Sequence, residues 1–142
     1  MDMGSEEVTL GLLVCYEDVF SGFARQQASE GADLFASMAN DSWSKSRGAH
    51  RQHYNRAIMR ALETGRPVLR VGNTGETGFI DPLGRTSQHL GAYERGVARG
   101  FSPRPLEQDP PFQRAGAWAG LLVALLLAAG ERLEIRVRNS RG

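Results

Sequence analysis

The chain has 142 residues, a formal net charge of +1 and 41% hydrophobic residues, which is one domain's worth of globular composition and excludes a disordered chain. A charge so close to balance does not single out nucleic acid as a partner. The lone cysteine, Cys15, excludes an internal disulfide, and Lys45 is the only lysine.

Met1–Glu7 is short and polar, with no apolar core of a secretory leader. The chain then enters a strand almost at once, which suggests the internal start of a longer gene. Val8–Cys15 reads as a buried strand: a continuous apolar run with β-branched residues. Val19–Glu30 has helical spacing, with Phe20, Phe23, Ala24, Gln27 and Ala28 on one face, and Gly31 ends it. Leu34–Ala39 is a second short strand, broken by Asn40-Asp41-Ser42, which opens a loop through Gly48. His50–Thr64 is a helix with Tyr54, Ala57, Ile58, Ala61 and Leu62 on one face, stopped by Gly65 and Pro67. Val68–Val71 and Thr77–Ile80 are strands, Asp81-Pro82-Leu83-Gly84 is a tight turn, and a further strand is expected near Gly96–Gly100.

The last third differs. Residues 101–114 form a proline-rich connector, and Ala115–Gly130 carries no charge. It is apolar on every side, so it lacks the polar face of a surface helix, and its length lies just below the lower limit for a bilayer span. Trp118 near its start and Arg132, Arg136, Arg138 and Arg141 after it favour a membrane helix over a buried core helix, with residues 131–142 as a basic cytoplasmic tail. Residues 1–100 then form an α/β domain outside the cytoplasm.

Three groups of residues could carry chemistry. Cys15 lies at a strand end, where open α/β sheets place their sites, and is either a nucleophile or a small buried apolar residue. Glu17, two residues on, would share its strand face and could orient the thiol, although a base and a cation must come from elsewhere. Asn40, Asp41 and Trp43 follow the second strand and suit an active-site rim or, equally, an Asx turn with a stacked tryptophan. His53 on the long helix is either a partner for Cys15 or structural. His50 and His53 have helical spacing but no evident third metal ligand. No phosphate loop or dinucleotide fingerprint occurs; no cofactor and no metal is expected.

The ordered set Leu13-Val14-Cys15-Tyr16-Glu17, Gly31-Ala32-Asp33, Asn40-Asp41-Ser42-Trp43, Gln52-His53, Arg60–Pro67, Asn73-Thr74-Gly75 and Ile80–Arg85 resembles the nitrilase, or carbon–nitrogen hydrolase, superfamily. Glu17 after the Cys-Tyr pair, the Asn-Asp-x-Trp element and Arg114-x-Gly116-x-Trp118 ahead of an apolar helix favour its apolipoprotein N-acyltransferase branch over the soluble amidases. The resemblance runs from about Val8 to the end of the chain. It implies the C-terminal half of an αββα sandwich followed by one transmembrane helix, held on the periplasmic side of a bacterial inner membrane. It also implies Cys15 as nucleophile, Glu17 as a supporting carboxylate and the Tyr16 backbone N–H as an oxyanion donor. The family's glutamate base and lysine belong to its N-terminal half, and Lys45 does not match that lysine's place. Ser44 stands where the family tends to have phenylalanine. The implied reaction is ping-pong: the thiolate takes an acyl chain from a phospholipid, then passes it to the amine of a diacylglyceryl-cysteine lipoprotein. A soluble amidase and a non-catalytic remnant of the fold are the alternatives.

Overall fold

The computed structural model describes residues 7–99, 104–116, 118 and 120–129. The elements in chain order are β1 (Leu10–Val14), a 3₁₀ helix (Cys15–Val19), α1 (Ser21–Ser29), β2 (Leu34–Asn40), α2 (Arg47–Thr64), β3 (Val68–Asn73), β4 (Thr77–Ile80), β5 (Thr86–Leu90) and α3 (Pro111–Ala115). The strands form one mixed sheet in the order β1-β2-β3-β4-β5. The first three run parallel, and β4 and β5 return antiparallel.

One face of the sheet carries Leu13, Phe35, Val68 and Ile80, and these pack with Ala24, Ala28, Tyr54, Ala57 and Ala61 from α1 and α2 into one core. Small residues on the helices let both approach the strands closely. Ser46 caps α2 by accepting from the Ala49 N–H at 3.4 Å, and Gly65 closes it at φ 67°. That cap starts α2 three residues ahead of the expected His50.

Several expectations change. β1 is not buried on both sides: Leu13 is enclosed, whereas Leu12 and Val14 are about half exposed, because no layer covers that face among the described residues. The first helix buries Ala24 and Ala28 but turns Phe20 and Phe23 outward. Gln27 leaves the core face to satisfy β1 instead, accepting from the Leu12 N–H and donating to its carbonyl at 2.8 and 2.9 Å. Residues 96–99 form no strand; the fifth strand is Thr86–Leu90, reached through the Asp81–Gly84 turn. There the Asp81 carboxylate accepts from the N–H groups of Leu83 and Arg85, both at 2.9 Å, and fixes the hairpin.

Beyond β5, residues 104–116 return to the helices. The Leu106 N–H donates to the Gly65 carbonyl, and Arg66 pairs with Asp109 at 2.6 Å. Residues 120–129 are helical, with Leu121, Leu122, Val123, Leu125, Leu126 and Leu127 between 49% and 67% exposed. Among the described residues no helix is long and apolar enough to cross a membrane. Ala117, Ala119, Gly130 and the basic tail, on which the expected span also draws, lie outside the described residues.

Candidate active site

β1 ends at Val14, and the chain turns sharply into the 3₁₀ helix. Cys15 sits at the corner with φ 53°, in the left-handed region that costs a residue with a Cβ about 1–2 kcal/mol. Such strain persists only where the surroundings hold it. Here the Val14 N–H donates to Glu17 Oε2 at 2.8 Å and closes the corner. Glu17 therefore does not share a strand face with Cys15; it braces the turn that presents the thiol. Cys15 is half-buried. Tyr16 opens the first turn of the 3₁₀ helix, where leading N–H groups lack intrahelical acceptors.

Beneath the corner lies a buried charge network. Asp18, fully enclosed, accepts from Ser37 Oγ at 2.8 Å and from Arg70, and faces His53 Nε2 at 2.9 Å. His53 Nδ1 faces Asp41 Oδ1 at 2.7 Å, and Arg70 reaches Asp41 Oδ2 at 3.3 Å and Ser37 Oγ at 2.8 Å. Arg60 holds the Asp18 and Val19 carbonyls at 3.0 Å. Glu63 pairs with Arg60 at 2.7 Å, and the remaining two carboxylates, the Arg70 guanidinium and an imidazolium sum to zero. A neutral imidazole has a single N–H and would leave one carboxylate facing a lone pair. The bond to Asp18 accordingly raises the His53 pKa above its ordinary 6.5, with Asp41 adding to it against burial and the Arg70 charge.

The loop after β2 shares Asp41 with this network and is held by further polar contacts. Ser42 N–H donates to Asn40 Oδ1 at 3.1 Å in an Asx turn, and Asn73 Nδ2 reaches the same oxygen at 3.3 Å. His50 Nε2 lies 3.1 and 2.8 Å from the Asp41 and Ser44 carbonyls. Asp41 lies against Gly75 of the β3–β4 turn, where an added Cβ would fall 2.1 Å from its Oδ2. So fixed, the loop raises Trp43 to the surface, 63% exposed, with its ring 6.4 Å from that of Tyr16. Tyr16 in turn lies 5.6 Å from the His53 ring. Tyr16, Val19, Trp43, Ala49, Gln52, His53 and Arg56 line a cleft of about 190 Å³.

Of the residues singled out from sequence, Tyr16, Trp43 and His53 meet in this cleft, Asp41 lies behind it and Asn40 shapes its rim. His53 is not placed as a base for Cys15, because both its ring nitrogens face carboxylates. Lys45 is exposed on the loop. Among the described residues no group of His, Cys, Asp and Glu is placed to hold a metal ion. Sequence reasoning missed Ser37 and Arg70, and it noted Asp18 beside the thiol and Arg60 beside His53 without giving either its place in this network. An arginine in the inward phase of a buried strand was the available signal, since such a charge needs a carboxylate partner.

The carbon-nitrogen hydrolase family model matches residues 2–100. The chain belongs to the carbon-nitrogen hydrolase family. Within this family it is 41% identical over 115 residues to the apolipoprotein N-acyltransferase of Azotobacter vinelandii, covering 80% of this chain and 22% of that protein. It is 35% identical over 131 residues to that of Rickettsia bellii, covering 91% and 26%. The chain thus spans about a quarter of the length of these curated relatives. Among solved structures it resembles a carbon-nitrogen hydrolase from Helicobacter pylori (TM-score 0.53, 16% identity, 61% of this chain and 37% of that one). It also resembles a Nesterenkonia amidase (TM-score 0.51, 22% identity, 65% and 37%). Both likenesses bear on the fold: a carbon-nitrogen hydrolase-type α/β unit.

Proposed function

We propose that the chain carries the nucleophile portion of an apolipoprotein N-acyltransferase site. Cys15 attacks the ester carbonyl of a phospholipid, the lyso-lipid alkoxide departs with a proton, and a thioester remains. The α-amino group of a diacylglyceryl-cysteine lipoprotein then attacks the thioester, an amide forms, and the thiol returns. Splitting the transfer this way suits sulfur, a good nucleophile and leaving group. The observation that carries the reading is Cys15 itself: a half-buried thiol held in a left-handed corner between strand and 3₁₀ helix. The Tyr16 N–H is the proposed oxyanion donor, Glu17 the brace of the corner, and Asn40, Asp41 and Trp43 the substrate-site rim. The named relatives support acyl transfer over amide hydrolysis, and the exposed leucines of residues 120–129 support a membrane setting, with the α/β unit on the periplasmic side of a bacterial inner membrane.

In the family that the chain resembles, the glutamate base and the lysine belong to an N-terminal half, and Lys45 does not match that lysine's place. The chain by itself is therefore expected to be inactive toward phospholipid, yet open to acylation by an activated ester. Incubation with p-nitrophenyl palmitate should give one palmitoyl adduct by intact mass, labile to hydroxylamine and absent in Cys15→Ser. An adduct that survives hydroxylamine, or persists in Cys15→Ser, would refute Cys15 as the acyl acceptor. Acylation from phospholipid alone would refute the need for an outside base.

A further inference from the structure

Two elements of the candidate site are joined through one buried side chain. Asp18 belongs to the 3₁₀ helix that Cys15 opens, and Asp41 begins the loop after β2. His53 stands between them, 8% exposed, with Nε2 2.9 Å from Asp18 Oδ1 and Nδ1 2.7 Å from Asp41 Oδ1. Arg70 spans the same two carboxylates, but it reaches Asp41 only at 3.3 Å. The short contact to the loop is therefore the imidazole's, at the length of a charge-assisted bond. Asp18 faces the ring from the 3₁₀ helix, Asp41 from the loop and Arg70 from β3. Tyr16 lies against it at 5.6 Å, and Arg56 stands about one turn further along α2.

Both contacts are hydrogen bonds only while each ring nitrogen carries a hydrogen, because a carboxylate accepts and does not donate. Loss of one proton turns a nitrogen lone pair toward a carboxylate, and that contact becomes repulsive. The helix and the loop then keep their separate anchors. Arg60 still holds the Asp18 and Val19 carbonyls, and the Asp41 N–H still donates to the Asn73 carbonyl at 3.2 Å. What is lost is the bridge between the two elements. Cys15, at φ 53°, depends on its surroundings for its conformation, so the seating of its helix bears directly on how the thiol is presented. The geometry also admits a bridge that needs no extra proton. Asp18→Asn would turn an amide N–H toward His53 Nε2 and keep an oxygen toward Ser37 and Arg70. A neutral imidazole with its hydrogen on Nδ1 would then satisfy both neighbours.

We propose that His53 is a positioning residue for acyl transfer at Cys15: its doubly protonated ring joins the 3₁₀ helix to the loop after β2, and release of one proton uncouples them. This rests on the reading of Cys15 as the acyl acceptor. The test follows acylation of the full chain by p-nitrophenyl palmitate as a function of pH, read by intact mass, beside the titration of the His53 ring by NMR. The expected profile is a bell. The rate rises as the thiol ionises, then falls at least fivefold from its maximum at the alkaline end, and one limb coincides with the His53 titration. In Asp18→Asn the rate is expected to rise to a plateau instead. A parent profile that rises to a plateau, or a bell that persists in Asp18→Asn, overturns the positioning role and leaves Cys15 as acyl acceptor standing. No Cys15 adduct at any pH overturns both. Should Asp18→Asn fail to fold, the match between one limb and the His53 titration in the parent chain decides alone.

Discussion

The two faces of the sheet are built from the same strands and meet different fates. On the helix-covered face Leu13, Phe35, Val68 and Ile80 are fully enclosed. On the other, Leu12, Val14, Met38 and Val71 are 44% to 53% exposed. Strand pairing sets Val14 beside Met38 and Met38 beside Val71, so these side chains form one apolar field. Parallel strands are ordinarily buried on both faces. The open face thus has the composition of an interior surface and the exposure of an exterior one. Stability comes from the covered face; the open face offers adhesion.

The largest effect is expected where the covered face meets charge. Arg70→Ala leaves Asp18 and Asp41, on either side of His53, without their shared guanidinium, and should cost about 3–5 kcal/mol. Urea unfolding would measure this, and a loss under 1 kcal/mol would show that the network is not closed. Next, Leu13→Ala should cost about 2–5 kcal/mol, whereas Leu12→Ser, one residue away on the open face, should stay within about 0.5 kcal/mol and reduce light scattering. Equal losses would erase the distinction between the faces.

A smaller effect follows from His53. Its folded pKa is raised above 6.5, chiefly by Asp18, so the folded state binds the proton more tightly than the unfolded chain. The resulting stability is full below pH 6.5 and is lost as pH rises through the folded value. Unfolding midpoints should fall over that window in the parent chain, and this fall should vanish in His53→Gln. The smallest effect belongs to Tyr54. Burial, with the Glu76 charge adding to it, pushes its pKa up to about 12, and its hydroxyl is enclosed without a hydrogen-bond partner. Tyr54→Phe should be neutral or stabilising by up to about 1 kcal/mol, as read by thermal melting.

How much of this was legible depended on whether the signal was local. α2, β3 and β4 follow from periodicity and from Gly65 and Pro67. β5 did not, because an exposed edge strand of Thr86, Ser87, Gln88 and His89 has no apolar rhythm to read. The 3₁₀ corner was hidden for another reason: an apolar run tells where a strand lies but not where its backbone turns. The candidate site divides the same way. Cys15, Tyr16, Asp41 and Trp43 stand in contiguous motifs, but Asp18, Ser37 and Arg70 come from three elements. Ser37 and Arg70 meet only because β2 and β3 pair in the register that sets them side by side, and register is a property of the assembled sheet.

Gly75 shows how far that dependence reaches. It contributes no atom to the charge network, yet its missing side chain is the space that Asp41 occupies. A methyl group there would act on His53 and the Trp43 loop through Asp41, much as a shim moves a bearing it never touches. Tolerance to change at Gly75 is therefore inherited from Asp41, and the position works as a spacer whose thickness must be zero.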